Sequence, residues 1–360
     1  MKPFIRNLLR MSVYQIKYMD AVPDSAVCNE AVKLAKRHKF AQLSGFVNGV
    51  LRNIARNIDS VQFDTLSIRY SMPQWIVDRF VAAYGEKKAE EIFKAFHSKS
   101  TISIRTNLTR CTPDELRATL EAEGVTVTAV DELNYAFVIS GFDYLNGLQS
   151  FRDGLFYVQD ISSMLVAQTA APKKGDYVID VCAAPGGKST HIAELLQGSG
   201  HVLARDLTDN KVHMIEENID RHGLNNMSAE VWDATVPDAD SAGKADILIC
   251  DLPCSGLGVL GRKKDIRYKM TPESVDELAA LQRQILDTVH TYVKPNGVLV
   301  YSTCTIDEAE NEDNVRWFIE KHPEFELDKS FAEGTGMKQI LPGEHGSDGF
   351  FIARFIKSKL

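Results

Sequence analysis

Two cysteines follow apolar, strand-like runs in the second half of this 360-residue chain: Cys254 in Asp-Leu-Pro-Cys-Ser and Cys304 in Ser-Thr-Cys-Thr. Upstream of both lies a glycine-rich loop, Asp180-Val-Cys-Ala-Ala-Pro-Gly-Gly-Lys188. A thiolate is a strong nucleophile, and glycines at a strand end let the backbone close on a nucleotide-like ligand. Together they point to a methyl donor held next to a sulfur nucleophile, with a second sulfur nearby. Residue types alone leave the roles of Cys254 and Cys304 interchangeable.

Three cofactor classes compete for the loop. A dinucleotide fingerprint needs GxGxxG, which is absent. A phosphate-cradling loop needs GxxxxGK[ST]; Gly187-Lys188-Ser189 fits its end, but Cys182 stands where the first glycine belongs, which argues against an ATPase. S-adenosylmethionine fits better, because its amino-acid tail wants backbone donors rather than a phosphate cradle. Cys182, Ala183, Ala184, Pro185, Gly186, Gly187 and Lys188 are the expected binding residues. Asp206 ends the next strand, about twenty residues on, where a carboxylate accepts both ribose hydroxyls. Asp233 follows the third strand and is placed to bound the adenine, and Asp251 completes the acids of the pocket. A strand-end aspartate is often only a helix cap, so the argument rests on the series.

These residues need a scaffold. From Lys173, strands (177–180, 201–206, 229–232, 247–251, 297–302) alternate with helices (189–196, 210–222, 275–292, 308–321), and 349–356 reads as a closing strand. Such alternation predicts a doubly wound, mostly parallel α/β sheet of Rossmann-like type, with ligands at the strands' carboxyl ends. Ahead of it, 101–107 alternates as a strand does, and Thr112-Pro-Asp-Glu reads as a capped helix start. Strands at 125–130 and 135–139 complete a small α+β unit, and turn-rich 154–160 leads into a helix at 162–169. Residues 1–57 carry helical periodicity, with Ser25 a candidate N-cap after Pro23.

Apolar residues make up 44% and charged residues 25%, enough for a sizeable core. No apolar run approaches the ~18 residues that span a bilayer, and the start lacks a secretory apolar stretch. Six cysteines without a CxxC pair fit reduced cytoplasmic thiols and give no metal site. Cys28, Cys111 and Cys250 fit the ordinary role of small buried residues. The net charge is −8, yet residues 1–57 hold ten Lys/Arg against three acids, so this head is +7 and the remainder −15. A basic head on an acidic body suggests a polyanionic partner.

The motifs Asp180–Lys188, Asp251-Leu-Pro-Cys-Ser-Gly256, Ser302-Thr-Cys-Thr305 and Glu310-Asn-Glu312 resemble those of the Sun-type RNA cytosine-C5 methyltransferases, closest to the bacterial RsmB branch that modifies small-subunit (16S) ribosomal RNA. Arg105-Thr-Asn107, Val158–Ser163 and Arg262–Arg267 extend the resemblance over about residues 100–356, and Pro3–Arg10 with Phe46–Arg52 resemble part of a NusB-type helical domain. The resemblance implies a partial NusB-like region at 1–58, a helical linker at 59–99, an RNA-recognition-like subdomain at 100–170 and the methyltransferase domain at 171–360. It makes Cys304 the attacking thiolate, Cys254 the helper of product release, Asp251 the partner of the base's N3/N4 edge, and Lys188 a member of the catalytic set. Lys188 and the start of the helix after Glu308 are candidate activators of the thiolate. Arg105, Asn107, Arg262, Lys263 and Arg267 are the expected RNA contacts, with Lys264 where many relatives carry proline; about half of the NusB-type domain is expected to be missing before Met1. The implied partner is 16S rRNA or a small-subunit precursor, met by a monomer without a membrane. A tRNA or another rRNA site would use the same residues; an inactive RNA-binding assembly factor would lack their activity.

Overall fold

The computed structural model describes residues 1–98, 101–131 and 133–359. Its compact units divide at Arg69/Tyr70, inside the segment read as a linker; the expected boundary at 99/100 lies outside the described residues. In the first unit, α1 (Pro3–Tyr18), α2 (Asp24–Arg37) and α3 (Ser44–Asn57) pack around Ile5, Leu8, Ala31, Ala35, Val47 and Leu51, and α4 (Leu66–Arg69) follows. Helix α2 starts two residues earlier than an N-cap at Ser25 would place it: Pro23 holds the N-cap position in extended conformation, so Ser25 falls inside the first turn.

The second unit opens with α5 (Gln74–Tyr84) and α6 (Glu86–His97). Then come β1 (Ile102–Thr106), α7 (Pro113–Ala122), β2 (Thr126–Val130), β3 (Leu133–Ser140), α8 (Gln149–Arg152) and β4 (Phe156–Val158). The Thr112 hydroxyl and Glu115 carboxylate cap α7 reciprocally, as Thr-Pro-Asp-Glu predicts. The strands pair antiparallel in the order β2-β3-β1-β4. Leu116 and Leu120 of α7 cover Ile104, Phe137, Ile139 and Phe156. The turn-rich 154–160 stretch thus contributes an edge strand, β4, because Ile104 offers it a pairing partner at Val158.

Helix α9 (Ile161–Ala170) leads into the large sheet: β5 (Tyr177–Asp180), α10 (Gly187–Leu195), β6 (His201–Asp206), α11 (Asp209–His222), β7 (Met227–Val231), β8 (Ala245–Asp251), α12 (Ile266–Lys269), α13 (Pro272–Val289), β9 (Val293–Thr303), α14 (Glu312–Lys321), β10 (Phe325–Leu327), β11 (Met337–Ile340) and β12 (Phe350–Lys357). The strand order is β10-β12-β9-β8-β5-β6-β7, with β11 also on β12. Strands β9 through β7 run parallel, and β12 joins antiparallel. The chain winds from β5 out to β7, then returns to the other side of β5 as β8. That reversal opens a crevice at the carboxyl ends of β5 and β8, where such sheets bind ligands. Helix α14 begins at Glu312 rather than Glu308, so residues 307–311 remain a turn at the strand ends. Among the described residues, no helix is long and apolar enough to cross a membrane.

Candidate active site

Asp180 ends β5 and is fully buried, its Oδ2 accepting from Ser189 Oγ at 2.5 Å. Its Oδ1 is buried without a partner, and burial raises its pKa to about 7. The loop that follows is laced to neighbouring strands: Val181 N donates to Ile249 O, and Ala183 N to Arg205 O. Gly186 turns it into α10 at φ +103°, a left-handed conformation that a side chain disfavours. Asp206 at the end of β6 accepts from Ala184 N (2.9 Å), Leu207 N (2.8 Å) and Lys211 Nζ (2.8 Å), so the second-strand acid also fixes the loop. Asp233 is exposed beyond β7, and its carboxylate accepts from Thr235 N and Oγ1, which hold its pKa below the usual range. Cys182 sits within the loop, its thiol pushed up by burial and by three nearby aspartates. The donor set fits an adenosine ligand with an amino-acid tail. Acidic acceptors stand at successive strand ends, and the orphaned Asp180 oxygen suits an ammonium group.

Strands β8 and β9 place Asp251 directly beside Ser302. The Ser302 hydroxyl donates to Asp251 Oδ1 at 2.7 Å, and Lys188 Nζ donates to Oδ2 at 2.7 Å. Burial disfavours the Lys188 ammonium, but the Asp251 carboxylate outweighs it and holds the pKa above its ordinary value. The same register carries the two cysteines to one place, three residues beyond Asp251 and two beyond Ser302. Their Sγ atoms are 3.2 Å apart. That exceeds the ~2.05 Å of a disulfide and suits a shared proton. Both thiols are free. The hydrogen bond from Cys254 draws Cys304 below the ordinary thiol range despite burial; Lys188 and Lys263 assist, and Asp251 opposes. The same bond, with burial, pushes Cys254 well above it. Of the two thiols, Cys304 is the one that ionises more readily.

Backbone packing fixes the sulfur turns. Gly258 N donates to Cys304 O at 3.1 Å, and Gly349 N donates to Gly258 O at 2.9 Å. A Cβ on Gly258 would stand 2.3 Å from Gly349 O, which explains the glycine.

The expected RNA contacts divide. Arg105 is 1% exposed and pairs with the equally buried Glu194 at 2.9 Å. It also donates to Gly187 O, Thr190 Oγ1 and Gln159, so it ties β1 to the start of α10. Asn107 is fully buried, donating to Gly154 O and receiving from Thr109. Arg267 is buried too, donating to Ser71 O and Leu260 O. These three are corrected to interior residues: each is consumed by internal acceptors that no local sequence signal reveals. Arg262 is held by Asp160 (3.0 Å) and Asp348 (2.6 Å), while Lys263 and Lys264 are exposed. Lys263 enters the site from the other direction, as a cation acting on Cys304. The helix start expected to do so lies four residues too late in the chain.

Ser302, Phe350, Ser255 and Gln282 had no assigned place in the site. Lys188 Nζ lies 5.4 Å from the Phe350 ring centroid, an arrangement favourable to the ammonium. The signal for Ser302 was available, since a parallel strand beside an aspartate-ended one must present its own last polar residue there.

Known proteins resemble the chain along its whole length. Residues 167–356 match the family described as 16S rRNA methyltransferase RsmB/F, residues 72–142 an RsmF/B-like ferredoxin-like domain, and residues 1–56 the NusB family. The "Probable ribosomal RNA small subunit methyltransferase B" of Bacillus subtilis (strain 168) is 38% identical, covering 99% of this chain and 83% of that protein. The protein of the same description from Synechocystis is 34% identical, covering 99% and 84%. The crystal structure of a methyltransferase homolog protein from Pyrococcus horikoshii superposes with a TM-score of 0.68 at 26% identity, covering 81% of this chain and 97% of that one.

Proposed function

The chain belongs to the 16S rRNA methyltransferase RsmB/F family, and from that premise we propose that it methylates carbon 5 of a cytosine in small-subunit ribosomal RNA through a covalent cysteine adduct. The observation that carries the proposal is the approach of Cys254 and Cys304 to 3.2 Å beside the Lys188–Asp251 ion pair. Residues 182–188 with Asp206 and Asp233 would hold S-adenosylmethionine, which would supply an electrophilic methyl group.

Carbon 5 of cytosine is a weak nucleophile. The Cys304 thiolate adds to carbon 6, and the displaced ring electrons make carbon 5 an enamine carbon able to take the methyl group. Asp251 meets the N3/N4 edge of the base, held in place by Lys188 and Ser302. The Asp251 carboxylate accepts from the N4 amino group, and its Lys188 partner supplies a fixed positive charge that offsets the negative charge developing in the ring. The carbon-5 proton passes to solvent, and its electron pair restores the ring double bond as the carbon–sulfur bond breaks, returning that bond's pair to Cys304. Cys254 keeps its proton at the higher pKa and hydrogen-bonds the departing sulfur.

The base must be unpaired or taken out of its stack to meet these groups. Lys263 and Lys264 hold the flanking phosphates, and the basic helical head up to residue 58 adds a second contact with the same polyanion. Transfer of tritiated methyl groups to 16S rRNA tests the reading. Incorporation at cytosine by the native chain and none by Cys304→Ala supports it; methylation of a different base or of tRNA alone refutes it.

A further inference from the structure

Buried polar groups hydrogen-bonded to one another surround the two sulfur turns. Glu310 is fully buried in the turn that joins β9 to α14, two residues before that helix begins at Glu312. Its Oε1 accepts from Ser255 N at 2.9 Å and from Gln282 Nε2 at 2.9 Å, and its Oε2 accepts from the Ser255 hydroxyl. Ser255 immediately follows Cys254. Gln282 on α13 also donates to Pro253 O at 2.8 Å. The residues on both sides of Cys254 are therefore tied to one carboxylate, directly through Ser255 and through Gln282 for Pro253. The Ser255 hydroxyl in turn lies 2.9 Å from Thr305 Oγ1, next to Cys304.

The neighbouring Asn311 does the corresponding task for the other sulfur. Its Oδ1 accepts from Thr303 Oγ1 at 2.6 Å, and its Nδ2 donates to Thr305 O at 3.1 Å, bracketing Cys304. Two adjacent residues thus hold the two sulfur turns, and the Tyr301 hydroxyl anchors them by donating to Glu310 O.

We propose that Glu310 is a positioning residue that sets the approach of Cys254 to Cys304, acting through Ser255 and Gln282. The inference rests on the proposed cysteine chemistry for its consequence in turnover, though not for its geometry. A buried carboxylate that accepts three internal hydrogen bonds fixes its partners as firmly as the core around it. Removing it frees the Cys254 turn, and a displacement of about 1 Å between reacting groups costs roughly 10²-fold in rate.

The closing experiment uses the full chain in two assays. In the first, an azo dicarboxamide oxidant converts the two thiols to a disulfide, taking up two electrons and two protons; the Cys254–Cys304 bridged peptide is followed by mass spectrometry. In the second, denaturation-stable protein–RNA adduct is followed during methyl transfer. Glu310→Ala is expected to slow the bridge by about tenfold or more and to accumulate adduct as Cys254→Ala does. Glu310→Gln, which keeps an acceptor toward Ser255 N, is expected to restore both. Ser255→Ala removes a single small hydroxyl and gives an intermediate effect if Glu310→Ala fails to fold. A folded Glu310→Ala that bridges and releases like the native chain overturns the inference, as does an unaffected Ser255→Ala beside an unfolded Glu310→Ala. Loss in both Glu310 variants would assign the effect to charge and likewise overturn positioning. If Cys254→Ala traps no adduct while Glu310→Ala still slows the bridge, the inference stands and the proposed reaction fails.

Discussion

Cys254 and Cys304 come from turns after two adjacent parallel strands, yet their sulfurs meet at 3.2 Å. The hydrogen bond between them lowers the pKa of Cys304 and raises that of Cys254; Lys188 and Lys263 add to the first shift, and burial and Glu310 to the second, while Asp251 opposes charge on both. The proposed reaction uses that asymmetry, with Cys304 as nucleophile and Cys254 as hydrogen-bond donor.

This asymmetry has a pH signature. In the proposed reaction the Cys304 thiolate attacks, and its pKa lies below the ordinary thiol value. Single-turnover methylation should rise with pH to a plateau, with its midpoint below the ~8.5 of a free thiol. Lys263→Ala removes a cation that favours the thiolate, so the same profile should move to higher pH. An unmoved profile would remove Lys263 from the activation of Cys304.

The Lys188–Asp251 ion pair is placed to act on developing ring charge. Asp251→Asn keeps the shape and the contact with Ser302 but loses the charge. Turnover should fall by about 10²–10³-fold, the scale seen when one preorganised polar group is lost from a transition state. The melting temperature should also fall, because Lys188 loses the partner that offsets its burial. Steady-state rates alongside thermal unfolding check this.

Arg105 and the Lys263/Lys264 pair should fail in opposite ways. Arg105→Leu leaves Glu194 charged and buried, which costs roughly 3–5 kcal/mol of stability, read by denaturant unfolding. Its effect on RNA affinity in the folded fraction should be small. Replacing Lys263 and Lys264 with alanine should leave stability intact, weaken RNA binding and lower the slope of log affinity against log salt by about 1–2.

Asp180 predicts a stability effect of unusual sign. Its folded pKa of about 7 lies above the value it takes when unfolded. The folded chain therefore keeps this proton after the unfolded chain has lost it. The resulting cost is absent below about pH 4, grows as pH rises and is complete above about pH 7. Asp180→Asn should raise the melting temperature more at about pH 8 than at about pH 5, while weakening S-adenosylmethionine binding by calorimetry.

Strand ends that bear acids were legible in the sequence because an apolar run, a carboxylate and a glycine turn are all local signals; Asp180, Asp206 and Asp251 stand at the ends of β5, β6 and β8 as their runs indicate. The small sheet's β1 was legible for the same reason, but the fate of its arginine was not. Arg105 is buried because Glu194, 89 residues away, meets it inside the fold. Arg267 is likewise consumed by Ser71 O and Leu260 O, acceptors that only the tertiary structure brings near. Strands β10 and β11 carry too few residues to signal themselves and exist because β12 offers them an edge. The late start of α14 has another cause. Thr303, Thr305 and Ser255 engage Glu310 and Asn311 in place of a helical turn.

The proposed chemistry meets its most direct test in the covalent adduct. Cys254→Ala, incubated with S-adenosylmethionine and 16S rRNA, should yield a protein–RNA species that survives a denaturing gel, and Cys304→Ala should yield none. An adduct formed by Cys304→Ala, or none by either variant while the native chain methylates cytosine, would contradict attack by Cys304.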